Sequence, residues 1–173
     1  LKHYLNFKPF ILFFHTDKEK QIYGLEKIKK IFTVNSFTMK TINKKYKGEV
    51  AKYLPNCIDT RNKKLVLKNP MKKIIVGAMG RLVEKKGFES LINVFKSLEG
   101  IHLQIAGDGP QMKFLEKQAY GYNNIKLLGW IKNKDEFFKK IDIFFCSSYI
   151  EPFGLVILEA MLNGVPVIST KCK

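Results

Sequence analysis

The sequence has 173 residues, 46% of them hydrophobic, which is enough to bury a core in one domain and part of another and excludes an intrinsically disordered chain. Thirty-one basic against 15 acidic residues give a formal net charge of +16, which favours anionic partners such as nucleic acid, acidic lipid headgroups or phosphorylated ligands. Every apolar stretch is far shorter than the roughly 20 residues of a membrane helix, so no transmembrane helix is predicted.

Three short apolar runs in the first sixty residues predict strands, at Phe10 to Phe14, Ile31 to Val34 and Val50 to Leu54. Asn35 or Ser36 is predicted to cap a helix that runs to about Tyr46. The polar stretch 61–70, rich in Lys and Asn, has the composition of a linker. We therefore expect an incomplete first domain over 1–60 and a second domain over 71–173.

The second domain alternates strands with helices. Strands are predicted at Lys73 to Val76, His102 to Ala106, Ile125 to Leu128, Asp142 to Cys146 and Val165 to Ser169. Helices are predicted at Phe88 to Leu98, Gln111 to Tyr120, Lys134 to Lys140 and Leu155 to Leu162. This alternation predicts an α/β fold, with a Rossmann-like parallel sheet that helices cover on both faces. Ligands of such sheets bind outside the carboxyl ends of the strands, so the loops there are candidate binding segments.

The loop after the first strand of the second domain contains Arg81 and Lys86. Arg81 offers a planar fork of donors and Lys86 a compact charge, and together they suit a diphosphate that gains negative charge as it leaves. An ordinary basic turn is the alternative interpretation.

The loops after the next two strands carry weaker signals. Gly107-Asp108-Gly109-Pro110 is typical of a tight turn. In the following loop, Trp130 and Ile131 are candidates to face a nucleobase, although a lone Trp more often packs in the protein.

The segment Glu151 to Glu159 follows a strand and opens an apolar helix. Pro152 suits a helix start, and Gly154 allows close backbone approach and leaves N-terminal amides to receive phosphate oxygens. Glu159 lies among apolar residues, where an unpaired carboxylate is costly. Its predicted polar partner is either a ligand hydroxyl or a nearby lysine, and the sequence leaves both open.

Several classes of site have no signal in this sequence. It contains neither a Walker-type Gly-Lys-Ser/Thr motif nor a complete G-x-G-x-x-G, which disfavours ATPases and typical dehydrogenases. No metal-ligand cluster is evident, and Cys57, Cys146 and Cys172 lack the spacing of a zinc site or a disulfide framework, which fits a reducing cytosol. The sequence starts at Leu1 without a signal-peptide pattern, so we expect a fragment whose targeting information lies elsewhere.

An ordered set of motifs resembles the C-terminal, donor-binding domain of the GT-B-fold retaining glycosyltransferases, also called glycosyl transferases group 1 or family 4. The set comprises Gly80-Arg81-Leu82 with Lys86-Gly87, Gly107-Asp108-Gly109-Pro110, Gly129-Trp130, Glu151-Pro152-Phe153-Gly154-Leu155 through Glu159-Ala160-Met161, and Gly164-Val165-Pro166-Val167-Ile168. Ile31 to Ser36 and Leu54 to Asp59 resemble the end of the family's N-terminal domain and its interdomain crossing. The early strands of that domain, with most of the acceptor site, have no counterpart here.

The resemblance implies a role for each matching residue. Arg81 and Lys86 would bind the donor diphosphate, Glu151 the hydroxyls of the transferred sugar, and Glu159 the ribose. His15 matches a histidine that reaches the donor sugar from the opposite domain; a structural histidine is the alternative. The remaining donor-binding positions are Phe153, Gly154 and Leu155, whose backbone amides would assist, Trp130 and Ile131 beside the base, and Gly80 and Gly107.

The function that the resemblance implies is transfer of a hexosyl unit, with retention and without a metal or other cofactor. The donor would be a UDP-, GDP- or ADP-linked sugar and the acceptor a glycan or glycolipid, in cell-envelope polysaccharide or lipopolysaccharide synthesis. We expect a cytoplasmic protein, and the positive charge favours peripheral contact with the anionic inner face of the membrane. The alternatives are a non-catalytic remnant, a basic nucleic-acid-binding protein, and a nucleotide-sugar epimerase of the same architecture.

Overall fold

The computed structural model describes residues 28, 30–60, 73–151 and 153–172, together with the backbone of 11–14. The chain divides into two compact units, Leu1–Cys57 and Ile58–Lys173. The predicted linker at 61–70 lies outside the described residues and stays a prediction.

The first unit contains a parallel sheet in the order β1-β2-β3. Its elements are β1 (Ile11–Phe14), β2 (Lys30–Thr33), α1 (Ser36–Lys45) and β3 (Ala51–Tyr53). Asn35 caps α1, because its side chain accepts a hydrogen bond of 2.7 Å from the backbone N–H of Thr38. Ile31, Ile42 and Ala51 form the buried centre of this unit. All four elements occur where the sequence predicts them.

The described residues of the second unit form a five-stranded parallel sheet with four α-helices. Its elements are β4 (Ile74–Met79), a 3-10 turn (Glu84–Lys86), α2 (Phe88–Phe95), β5 (Ile101–Ala106), α3 (Met112–Ala119), β6 (Ile125–Gly129), α4 (Lys134–Lys140), β7 (Ile143–Cys146), α5 (Leu155–Leu162) and β8 (Val167–Ser169). The strand order is β6-β5-β4-β7-β8. The order therefore reverses between β4 and β7, and open α/β sheets bind ligands at such a switch point.

Alternate residues of β4 face two separate hydrophobic clusters. Val76 and Ala78 pack in one cluster with residues of α2 and α3. Ile75 and Met79 pack in the other with residues of α4 and α5. Because successive strand side chains point to opposite faces, these clusters show that the helices cover both faces of the sheet. This confirms the predicted layering.

Close packing of α4 on the sheet depends on the absence of a side chain at Gly77. A Cβ atom there would lie 2.5 Å from Cδ1 of Ile141 and 2.8 Å from Cζ of Phe137. Both of these side chains are buried. A larger residue at this position would push α4 away from β4.

Two element ends differ from the sequence prediction by three residues, and the other ends differ by two residues or fewer. β4 continues to Met79 rather than ending at Val76, so the loop after it begins at Gly80. α2 ends at Phe95 rather than Leu98.

Within the described residues, no helix combines the length and the apolar character needed to cross a membrane.

Candidate functional site

The loops after β4 and β7 lie side by side at the switch point of the sheet. The backbone N–H of Tyr149 donates to the carbonyl of Lys85 at 2.8 Å, and the Ser147 hydroxyl donates to the carbonyl of Lys86 at 2.8 Å. A Cβ atom on Gly87 would overlap the carbonyl oxygen of Ser147. The two loops are therefore packed backbone against backbone.

This packing brings Lys86 and Glu151 together. The Lys86 ammonium forms an ion pair with Oε2 of Glu151, and the side chains are only 18% and 12% exposed. The hydroxyl of Ser148, itself buried, donates to the same oxygen at 3.2 Å. The sequence assigned these two residues to different parts of a donor, and the structure places them in direct contact.

Arg81 lies on the same loop as Lys86, and its side chain is exposed. The guanidinium group and the Lys86 ammonium thus give this loop two cations near the switch point. Such a pair can bind the oxygens of a diphosphate. Gly80, directly before Arg81, follows the last residue of β4 and donates its N–H to the carbonyl of Ala106 at 3.0 Å.

The loop after β5 is fixed against the loop after β4. The N–H of Leu82 donates to the carbonyl of Asp108 at 2.8 Å. A Cβ atom on Gly107, whose φ is +142°, would overlap the carbonyl oxygen of Gly80. Gly80 and Gly107 therefore serve the packing of these loops, and their contact with a donor stays a prediction.

The loop after β6 carries the residues predicted to lie by a nucleobase. Trp130 is 75% exposed, whereas Ile131 is half-buried against the cluster beneath α4 and α5. Since β6 is two strands away from β4, this loop lies roughly 10 Å along the sheet from the switch point. The exposure leaves the indole ring available to a ligand.

The chain turns into α5 at Gly154, which adopts a left-handed φ of +78° and is the N-cap residue. Phe153 is half-buried and Leu155, the first helical residue, is exposed. The first backbone amides of a helix have no acceptor within that helix, so they can receive anionic oxygens. The start of α5 thus suits the predicted role of these amides.

Glu159 has a lysine partner. The Lys134 ammonium, on the first residue of α4, donates to Oε1 at 2.9 Å and to Oε2 at 3.0 Å. The sequence left open whether Glu159 pairs with a ligand hydroxyl or with a lysine, and in the structure it pairs with a lysine. The Glu159 side chain remains 27% exposed, which leaves it accessible to a ligand.

Both members of this second pair line a cavity of about 270 Å³. Its walls are formed by Ile58, Asp59, Lys134, Asp135, Phe138, Glu159, Leu162 and Asn163. This volume is close to the lower end of the roughly 300–1,000 Å³ that ligand clefts occupy.

Sequence reasoning missed three contacts of the site. Ser148 contacts Glu151, Lys134 contacts Glu159, and the hydroxyl of Tyr149 lies 2.5 Å from that of Ser90 on α2. Only Ser148 had a signal, because a polar pair directly after a strand marks a loop at the carboxyl edge. The other two contacts depend on side chains 25 and 59 positions apart.

Two of the predicted residues lie outside the described part of the chain, His15 and Pro152. Their assignments stay predictions. Among the residues that are described, no group of three or more His, Cys, Asp or Glu side chains is placed to hold a metal ion.

Comparison with known proteins identifies relatives. The model of the family described as "Glycosyl transferases group 1" matches residues 59–173. The chain is 38% identical over 108 residues to the lipopolysaccharide core biosynthesis glycosyltransferase LpsE of Rhizobium meliloti (strain 1021), a match covering 61% of this chain and 32% of LpsE. It is 34% identical over 110 residues to LpsD of the same organism, covering 62% of this chain and 32% of LpsD. The chain thus spans about a third of the length of these relatives.

Solved structures show the same fold. Anabaena Alr3699/HepE, in complex with UDP and glucose, aligns with a TM-score of 0.78 at 21% identity, covering 95% of this chain and 53% of that one. WaaG, a glycosyltransferase involved in lipopolysaccharide biosynthesis, aligns with a TM-score of 0.70 at 21% identity, covering 87% and 46%. The predicted fold class, a Rossmann-like parallel sheet of the GT-B type, is confirmed.

Proposed function

Because the chain belongs to the group 1 glycosyl transferases, we propose that the intact protein transfers a hexosyl unit from a nucleotide sugar to a glycan or glycolipid. The observation that carries this proposal is the contact of Lys86 with Glu151 at the switch point, with the exposed Arg81 on the same loop as Lys86. Cations and a carboxylate are the groups that a sugar diphosphate requires at one place. The UDP and glucose in HepE support a donor of this class.

The donor would lie across the carboxyl edge of the second sheet. Arg81 and Lys86 bind its diphosphate, and the amides at the start of α5 assist. The Lys86 ammonium has three donors, so it can keep its contact with Glu151 while it binds a phosphate oxygen. The described contacts of Glu151 both use Oε2, so Oε1 can accept a hydrogen bond from a sugar hydroxyl. Glu159 binds the ribose and Trp130 the base.

The reaction breaks the bond between the anomeric carbon and the β-phosphate oxygen, and that oxygen keeps the electron pair. The acceptor hydroxyl oxygen forms the new bond on the same face of the sugar, and its proton passes to the departing phosphate. Arg81 and Lys86 stabilise the charge that develops on the leaving diphosphate, which is the electrostatic work of the site. Glu151 orients the sugar. Retention, like independence from metal, is part of the proposal and rests on the family resemblance.

The relatives' names support a role in a biosynthetic process. LpsE and LpsD are described as lipopolysaccharide core biosynthesis enzymes, so we place this protein in cell-envelope polysaccharide or lipopolysaccharide synthesis. It would act in the cytoplasm, at the inner face of the membrane, where a net charge of +16 favours anionic lipid.

Calorimetric titration with UDP-, GDP- and ADP-linked sugars tests the donor site. We expect one class to bind, and Arg81→Ala, Lys86→Ala and Glu151→Gln each to weaken it by about 10- to 100-fold, the value of a charge-assisted hydrogen bond. Lys113→Ala, which removes an exposed lysine on α3, is the matched control and should bind normally. An affinity that none of the three site substitutions changes would contradict the assignment.

Independence from metal is tested on the intact enzyme. EDTA should leave the transfer rate unchanged, and a loss of rate that Mg²⁺ restores would contradict independence from metal.

A further inference from the structure

The contact between Lys134 and Glu159 joins two helices of the second unit. Lys134 is the first residue of α4 and Glu159 lies in the middle of α5. The lysine ammonium bridges both carboxylate oxygens, at 2.9 and 3.0 Å. A glutamate side chain has three rotatable bonds, and this bridge selects one orientation of its carboxylate plane.

The two helices are themselves held in register. Asn133 caps α4, since its side chain accepts from the N–H of Glu136 at 3.2 Å. Phe137 and Phe138, one turn further along α4, are buried in the core. The side chain of Asn163 joins the two helices, because it donates to the Glu159 carbonyl at 2.9 Å and to Oδ1 of Asp135 on α4 at 3.4 Å. The backbones that carry the ion pair are therefore fixed.

The bridge also leaves the Glu159 carboxylate able to accept further hydrogen bonds. A carboxylate offers about four lone-pair sites over its two oxygens. Lys134 uses one on each oxygen, so one remains on each oxygen. Two acceptors in this arrangement match the two neighbouring hydroxyls of a ribose, and the cavity of about 270 Å³ beside the pair provides room for the ring.

We propose that Lys134 is a positioning residue, which orients the Glu159 carboxylate toward the ribose hydroxyls and so makes the site prefer ribonucleotides to 2′-deoxyribonucleotides. The inference rests on the proposed function, in which Glu159 binds the ribose. It adds a residue that does not need to touch the donor, and it assigns the ion pair a measurable effect on substrate choice.

The test uses the intact protein and a pair of nucleotides. The diphosphate that binds best among UDP, GDP and ADP is compared with its 2′-deoxy counterpart by calorimetry. The native chain should prefer the ribonucleotide. Lys134→Ala should lower this preference by about five- to tenfold, mainly by weakening the ribonucleotide. Lys134→Arg should retain most of the preference, because a guanidinium can also bridge a carboxylate.

Two controls separate positioning from structure. Lys139→Ala removes another exposed lysine of α4 and should leave the preference intact. In a Glu159→Gln background, Lys134→Ala should have no further effect on the preference, because the group that it orients is gone. A purely structural role would weaken both nucleotides equally, and circular dichroism reports whether each variant is folded.

The failures are distinguishable. A native preference that Lys134→Ala leaves unchanged overturns this inference and leaves the proposed function standing. An intact native protein that binds none of the three nucleoside diphosphates and none of their sugar derivatives overturns the proposed function and, with it, this inference.

Discussion

Lys86 and Glu151 show what a residue can and cannot reveal before the fold is known. The sequence marked each one separately, because each follows a strand and carries a charge suited to a sugar diphosphate. It could not predict their contact, since the residues are 65 positions apart and meet only when β4 pairs with β7. The same holds for Lys134 and Glu159, where the need for a partner was predictable and its identity was not.

The Lys86–Glu151 pair should contribute to stability as well as to binding. Lys86→Met and Glu151→Met each leave a mostly buried charged group without its oppositely charged partner, at a cost of about 1–3 kcal/mol in the free energy of unfolding. The double variant should cost less than the sum of the two, because neither group is then stranded. Urea unfolding measures all three, with Lys113→Met as the exposed control. Additive losses would show that the two side chains do not interact in solution.

At the scale of elements, the sequence predicted type and order correctly, and the ends less well. The apolar periodicity of α2 extends to Leu98, which is half-buried against the core, so the pattern alone gave no reason to stop the helix at Phe95. A side chain from another loop satisfies the carbonyl groups at this end of the helix. Asn124, just before β6, donates to the carbonyl oxygens of Phe95 at 2.8 Å and Leu98 at 3.0 Å.

Asn124→Ala should therefore destabilise the second unit. The substitution removes the Asn124 amide donor from the carbonyl groups of Phe95 and Leu98, and about 1–2 kcal/mol is expected from the lost hydrogen bonds. Its neighbour Asn123 is exposed, so Asn123→Ala is the matched control. Thermal unfolding followed by circular dichroism checks the difference. Equal melting temperatures for the two variants would show that Asn124 does not hold this helix end.

At the scale of the whole molecule, periodicity predicted a parallel sheet with helices on both faces, because alternating strands and helices permit few other arrangements. Periodicity could not predict the order of the strands in the sheet. Periodicity does not say which strands are neighbours, and the reversal between β4 and β7, which positions the site, became known only from the pairing of strands. The charge of +16 is also a property of the whole chain and favours several classes of anion.

Salt dependence separates a general attraction to anions from the proposed site. Oligonucleotide binding driven by total charge should fall steeply between 50 and 200 mM salt and should hardly change in an Arg81→Ala, Lys86→Ala double variant, which lowers the net charge only slightly. Binding of the nucleotide sugar should depend less on the salt concentration and should be lost in the double variant. Fluorescence anisotropy with a labelled oligonucleotide measures the first property and calorimetry the second. Oligonucleotide binding that is tight, lost in the double variant and not displaced by a nucleotide sugar would favour a nucleic-acid-binding protein.

The contact of Glu151 with Lys86 also bears on competition from inorganic phosphate. Pairing with Glu151 reduces the free energy that the Lys86 ammonium gains from a small free anion, whereas a sugar diphosphate also satisfies the carboxylate through its hydroxyls. Glu151 would thus act as an internal competitor that keeps common cellular anions off the lysine. Glu151→Gln should accordingly bind inorganic phosphate more tightly than the native chain does, although it binds the sugar nucleotide less well. If phosphate affinity did not rise, the carboxylate would not be screening the lysine.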